Sequence, residues 1–241
     1  MGVFEEEALL DFEARVLRHV RENFPTSFEV LGESRVLDIT RETVVGAQAH
    51  GLTTERSVVM YLNLLFMLGN GFDEDPQLPW AAEILGDGGL AEVVKIDALY
   101  DKALDYFAQV FGPEGVNVAA AFGRMQSESL DGLPAASGPE FYQHLVTRLK
   151  VIFPEKCDYV GELGLRRLIQ RGIKQASAYQ ITDRRGVAVY VGLMFMLGSG
   201  FDEDPQLPWA AGVLNDESAG GAEKGERLRA AALESRARRM S

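Results

Sequence analysis

The sequence predicts an all-α protein made of two tandem, pseudo-symmetric multi-helix units packed together. Three observations predict it. Residues 71–82 read GFDEDPQLPWAA and return letter for letter at residues 200–211, an offset of 200 − 71 = 129. Apolar positions align at that offset without a gap from residue 12 to residue 85. Apolar residues recur at helical spacing, and no segment alternates apolar and polar as a half-buried strand does.

The elements follow in order. Phe12, Val16, Val20 and Phe24 stand four apart, one face of a first helix over about residues 5–23, and Pro25 ends it. Phe141, Leu145, Leu149 and Phe153 repeat the stripe before Pro154. A second helix is expected from Gly32-Glu33 (Gly161-Glu162), with Val36, Ile39, Thr43 and Ala47 inward. It ends in a short turn at His50-Gly51 (Tyr179-Gln180). A third helix is expected to start at Thr53 (Thr182) as N-cap and to run to Leu68. Val58, Val59, Tyr61, Leu62, Leu64, Leu65, Phe66 and Leu68 make it apolar nearly all round, which marks the centre of the unit.

Gly69 and Gly71 are expected to stop that helix with a left-handed C-terminal residue. Pro76 or Pro79 then opens a short helix whose Trp80 and Leu85 fold back on the core. A further helix covers about residues 90–111. Its counterpart is the last segment, residues 222–239, where Lys224, Leu228 and Leu233 match Lys95, Leu99 and Leu104. Gly112-Pro113 breaks the chain, residues 116–130 form a helix without counterpart, and residues 131–138 (DGLPAASG) read as a linker. The organisation is therefore unit 1 over residues 1–111, a connecting helix and linker over 112–138, and unit 2 over 139–241.

With 36 acidic and 24 basic residues the formal net charge is −12. Nucleic acid and anionic membrane surfaces ask for the opposite sign, so the expected partner is a protein, drawn in by the field. The single cysteine, Cys157, excludes an internal disulfide framework and a cysteine-rich metal site. The first residues lack the pattern of a signal peptide, and Glu6 stands where myristoylation needs Ser or Thr. Residues 58–68, the longest apolar-rich run, are too few to span a bilayer. The expected location is cytoplasmic.

The acidic runs Asp73-Glu74-Asp75 and Asp202-Glu203-Asp204 are the most chemical feature. Three consecutive acids before a proline lack the alternating spacing and bend glycine of a calcium loop. The plain reading has them capping the short helix at its positive end. The functional reading makes all six residues a rim that binds a basic partner. His19, His50 and His144 fall opposite Arg148, Tyr179 and Arg15, so no histidine site is duplicated. Cys157 falls opposite Phe28, the position of a buried thiol. Trp80 and Trp209 fit core packing better than interface anchoring. Arg236, Arg238 and Arg239 suit a helix C-terminus. No catalytic constellation, cofactor motif or metal set emerges, and the sequence points to a non-catalytic binding protein.

The pattern Tyr61…Phe66-Met67-Leu68-Gly69…Phe72-Asp73-x-Asp75-Pro76…Pro79-Trp80-Ala81 resembles a family of small bacterial helical proteins encoded beside type VI secretion effectors and their spike-tip or adaptor proteins. The usual member resembles one unit, and here the match covers two. The resemblance implies no catalytic residue. It implies either an immunity protein that neutralises a secreted toxin, the leading expectation, or an adaptor that loads an effector onto the secretion spike.

Overall fold

The computed structural model describes residues 3–127 and 138–239. The expected linker at residues 131–137 and the side chains of Arg236, Arg238 and Arg239 lie outside the described residues. Within them every regular element is helical. Unit 1 supplies α1 (Val3–Asn23), α2 (Pro25–Ala49), α3 (Glu55–Leu68), α4 (Pro79–Gly86) and α5 (Glu92–Phe111). The connecting helix is α6 (Val116–Ser127). Unit 2 supplies α7 (Pro139–Ile152), α8 (Pro154–Ala178), α9 (Arg184–Leu197), α10 (Pro208–Leu214) and α11 (Gly221–Arg239). The second to fifth helices of unit 2 start at their unit 1 counterparts plus 129, and only α7 starts later, at Pro139.

Phe12, Val16 and Val20 of α1 are buried, as are Phe141, Leu145 and Leu149 of α7. The second helix begins earlier than its sequence indicates. Phe24 adopts a non-helical conformation (φ −131°, ψ 55°), which frees Pro25 to open a new helix at once. Gly32 then breaks that helix with φ 71° and ψ 167°, and Gly161 does the same with φ 69°. The glycines at which a helix is expected to start thus mark a kink, because only glycine takes that backbone cheaply. The N-cap of α3 is Thr54 rather than Thr53, its hydroxyl accepting from Ser57 N, and that of α9 is Asp183 rather than Thr182.

Glu92 adds a second device in unit 1. Its carboxylate accepts from Thr54 N (2.8 Å) and Thr53 N (2.9 Å), satisfying donors at the start of α3. Hydrogen bonds from Thr54 above all hold its carboxyl down to about 2. Unit 2 has Gly221 there, whose backbone lies directly on Gln180 O.

Helices α3 and α9 are the centres of two apolar clusters. In unit 1, Leu62 and Leu64 sit among Phe12, Val36, Leu52, Phe72, Ile96 and Leu99. In unit 2, Tyr190, Met194 and Phe195 are fully buried beside Leu165, Leu168 and Phe201. The pairing of α5 with α11 rests on one shared bond. Buried Lys95 donates to Leu85 O at 2.8 Å and also to His50 O, and buried Lys224 donates to Leu214 O at 2.8 Å. Each lysine closes the C-terminal end of the preceding short helix, where carbonyls lack internal donors. Lys95→Met and Lys224→Met keep the bulk and remove the donor. Each is expected to lower the unfolding free energy in urea by about 1–3 kcal/mol. An unchanged midpoint would mean that the carbonyls find another donor.

The clusters meet through α5, α6 and α8. Tyr159 of α8 packs on the unit 1 core, its ring edge-on to Tyr106 at 5.2 Å. Lys156 is buried, donates to Phe195 O, and lies 5.8 Å from the Tyr106 ring centre. Arg124 of α6 donates to Ile152 O at 2.8 Å, tying the connecting helix to the end of α7. No helix among the described residues is long and apolar enough to cross a membrane.

Candidate functional site

The two copies of the GFDEDPQLPWAA segment face each other. After α3, Gly69 takes φ 97° and ψ 167°, an extended positive-φ form rather than the left-handed cap its sequence leads one to expect. Gly71 is the left-handed residue (φ 70°, ψ 24°) and starts the single 3-10 turn Phe72–Glu74. Phe72 and Phe201 plug the turns into their own cores, each about 1% exposed. Each turn closes on the same bonds. Glu74 N reaches Gly71 O (3.1 Å) and Glu203 N reaches Gly200 O (3.2 Å). Leu78 N reaches Asp75 O (2.8 Å) and Leu207 N reaches Asp204 O (2.9 Å).

Between the units the contacts are reciprocal. Asp75 Oδ2 accepts from Ser199 N at 2.7 Å, and Asp204 Oδ2 accepts from Asn70 N at 3.1 Å. Asn70 and Ser199 are themselves 129 apart. The other oxygen of each aspartate accepts from its own Gln77 N or Gln206 N, both at 2.8 Å. A Cβ on Gly69 would stand 2.9 Å from Leu197 O, and one on Gly198 would stand 3.1 Å from Leu68 O. This is the pattern of a self-complementary contact, in which the same patch is used by both sides. Gln77 and Gln206 extend it unequally. Gln77 Nε2 donates to Met194 O (3.2 Å), whereas Gln206 Oε1 accepts from Ser27 Oγ (2.7 Å).

The expectation of six exposed acids is corrected by this geometry. Asp75, Asp202 and Asp204 are buried, Asp73 is half-buried, and Glu74 and Glu203 alone of the six are exposed. The capping reading is corrected as well: α4 and α10 follow Leu78 and Leu207, with no side-chain cap bond. Asp73 Oδ2 accepts from Tyr61 Oη (2.8 Å) and pairs with His50 Nε2 (3.2 Å). Asp202 Oδ2 accepts from Tyr190 Oη (2.7 Å) and Tyr179 Oη (3.1 Å). The backbone of the exposed glutamates is held from across the contact, Glu74 O by Arg171 (3.1 Å) and Glu203 O by Asn70 (3.4 Å).

Burial first, and the neighbouring aspartate second, push the phenols of Tyr61 and Tyr179 above their ordinary range; burial and the Asp202 bond do so for Tyr190. Raised phenols contribute stability that is complete below pH about 10, where the unfolded tyrosine titrates, and that is lost above it. The urea midpoint is therefore expected to fall as pH rises past about 10, and less steeply in Tyr61→Phe/Tyr190→Phe. An equal slope in that variant would assign the loss to other groups.

The reciprocity also breaks at the edge of the contact. On one side Gly164 lets α8 approach Pro76 O, to 3.2 Å from a built Cβ, and Arg171 bonds Glu74 O. At the counterpart positions stand Arg35 and Glu42. A cleft of about 210 Å³ remains there, lined by Arg35, Glu42, Tyr61 and Asp73 of unit 1 and by Glu203 and Pro205 of unit 2. Arg35 pairs with Glu42 at 3.4 Å and Asp38 at 3.9 Å. Among the described residues the cleft thus holds three carboxylates to one guanidinium.

The remaining reactive groups are dispersed. His19 bonds Asn63, and Arg148 bonds His144. Cys157 is buried, which pushes its thiol up to about 12. Trp80 is buried and Trp209 partly so, each against its own unit's cluster. Among the described residues no three His, Cys, Asp or Glu side chains converge as a metal site. Sequence reasoning missed Asn70, Gln77, Arg171, Ser199 and Gln206, although the strict identity of residues 71–82 with 200–211 was the signal for a shared contact. No protein-family model matches the chain, no curated protein matches it in sequence, and no solved structure matches it in fold.

Proposed function

We propose that this chain is a cytoplasmic, non-catalytic binding protein, an immunity protein that neutralises a type VI secretion toxin by covering one of its basic surfaces. The observation that supports the reading is the cleft where the contact between units stays open. It offers Glu42, Asp73 and Glu203 around a single Arg35, on two helical units tied together by buried bonds. A partner's lysine or arginine entering there meets carboxylates already in position, and the net charge of −12 speeds its approach.

The test is co-expression with the toxin of the same locus. Protection of the cell, and a stable complex of the two purified proteins, are expected. Glu42→Lys/Glu203→Lys, both at the surface, is expected to keep the fold and slow association at least about tenfold at low salt, with a weaker salt dependence. Binding and protection untouched by the double reversal would remove the cleft from the interface. Deletion discriminates the two roles. Death by self-intoxication supports immunity, whereas viable cells that no longer export the effector support the adaptor reading.

A further inference from the structure

We infer that this chain associates with further copies of itself, the acidic outer face of α5 in one copy seating on the basic outer face of α8 in the next. Charge is divided unequally along the chain. Unit 1 holds 20 acidic and 8 basic residues, whereas unit 2 holds 13 and 15. The reversal is plainest on one helix face. Arg166, Arg167, Arg171 and Lys174 of α8 stand where α2 carries Leu37, Asp38, Glu42 and Val45, 129 positions earlier. Arg171 turns to Glu74 O between the units. Arg166, Arg167 and Lys174 are exposed, and none has an ion pair or hydrogen bond among the described residues. Leu163 (62% exposed) and Ile173 (39%) lie among them.

The complementary face belongs to unit 1. Asp97, Asp101 and Asp105 stand four apart on the outer side of α5 and are all exposed, with Val94 (46% exposed) and Leu104 (60%) beside them. Asp97 also holds Arg56 at 3.3 Å, and Asp105 accepts from Gln109 at 2.7 Å. The two faces share one spacing. Val94, Asp97, Leu104 and Asp105 precede Leu163, Arg166, Ile173 and Lys174 each by 163 − 94 = 69 positions. Laid parallel in that register, the helices pair apolar with apolar and carboxylate with cation at all four heights, and set Asp101 against the Gln170 amide. Laid antiparallel over the same apolar residues, they set Asp105 against Glu162, a like charge. Each copy carries both faces, so the contact is heterologous, and the ends of an open assembly still offer one face of each kind. Exposed ion pairs contribute little singly, so the association is weak and sensitive to salt.

The test is sedimentation equilibrium of the full chain from roughly 5 to 300 μM in low-salt buffer. The mean mass is expected to rise with concentration above that of one chain, and to return to it at roughly 0.5 M salt. Arg166→Glu/Lys174→Glu reverses the basic face and Asp97→Lys/Asp105→Lys the acidic one. All four side chains are exposed, so both variants should keep the helical circular dichroism. Each should weaken self-association at least about tenfold. Mixed in equal amounts, the two variants should associate again, because native faces meet native faces and reversed faces meet reversed ones. The mass of one chain throughout the wild-type series overturns the proposal. So does association that either reversal leaves intact, or a loss in both that the mixture fails to restore. None of these readouts involves a toxin or the cleft at Glu42 and Glu203, so this inference and the immunity reading fail separately.

Discussion

Asp75→Ala is expected to lower the unfolding free energy by about 3 kcal/mol, among the largest effects of any single substitution on this chain. The carboxylate accepts from Ser199 N and Gln77 N, and both donor residues are buried. A buried N–H left unpaired costs about 1–3 kcal/mol, and two are left here. Asp204→Ala removes the matching pair, Asn70 N and Gln206 N, at a partly more open position, so its effect should be somewhat smaller. Because both aspartates belong to one contact, the double variant should depart from the sum of the singles. Urea unfolding followed by circular dichroism measures all three. A loss below about 1 kcal/mol for Asp75→Ala, or strict additivity, would mean that the units are held together elsewhere.

Gly225→Ile should destabilise unit 2 by about 2–3 kcal/mol, although isoleucine is what unit 1 carries at that position. A Cβ on Gly225 would stand 2.5 Å from Gly186 Cα, so α11 crosses α9 backbone to backbone. Unit 1 has buried Ile96 and Ser57 at the equivalent places, hence its fifth helix has room for a side chain against its third. Isoleucine in unit 2 must push α11 away from a packed core, and overpacking of this kind typically costs about 1–3 kcal/mol. A stability equal to wild type would mean that α11 shifts outward freely. Gly225→Ala, with one carbon added, should fall between the two.

These substitutions also separate what was legible in the residues from what was not. The stripe Phe12, Val16, Val20 and its copy Phe141, Leu145, Leu149 announced buried helical faces, and they are buried. The all-round apolar third helix announced a unit centre, and Leu62, Leu64, Tyr190 and Phe195 occupy one. Even the faint match of Lys95 with Lys224 was informative, since both lysines close the same helix end. Helix starts were read less well. Thr53 and Thr54 are equally good caps by type, and Gly32 serves a kink as readily as a helix start. A local residue type does not distinguish these outcomes, while the chain's path does.

The acidic runs mark the boundary most clearly. As a sequence they are three adjacent charges, doubled, and charge alone reads as surface. The structure buries Asp75 against a backbone N–H 124 positions away and Asp204 against one 134 positions away. The sequence by itself determined the helical class, the repeat and the inward faces, because periodicity and identity are properties of neighbouring residues and of the alignment of the chain with itself. Only the tertiary structure decided that the repeated turns clasp each other and that Arg35 and Glu42 hold one side of that clasp open. Each of these depends on which residues distant in the chain come within a few ångströms, and hydrogen bonding and steric exclusion act only at that range.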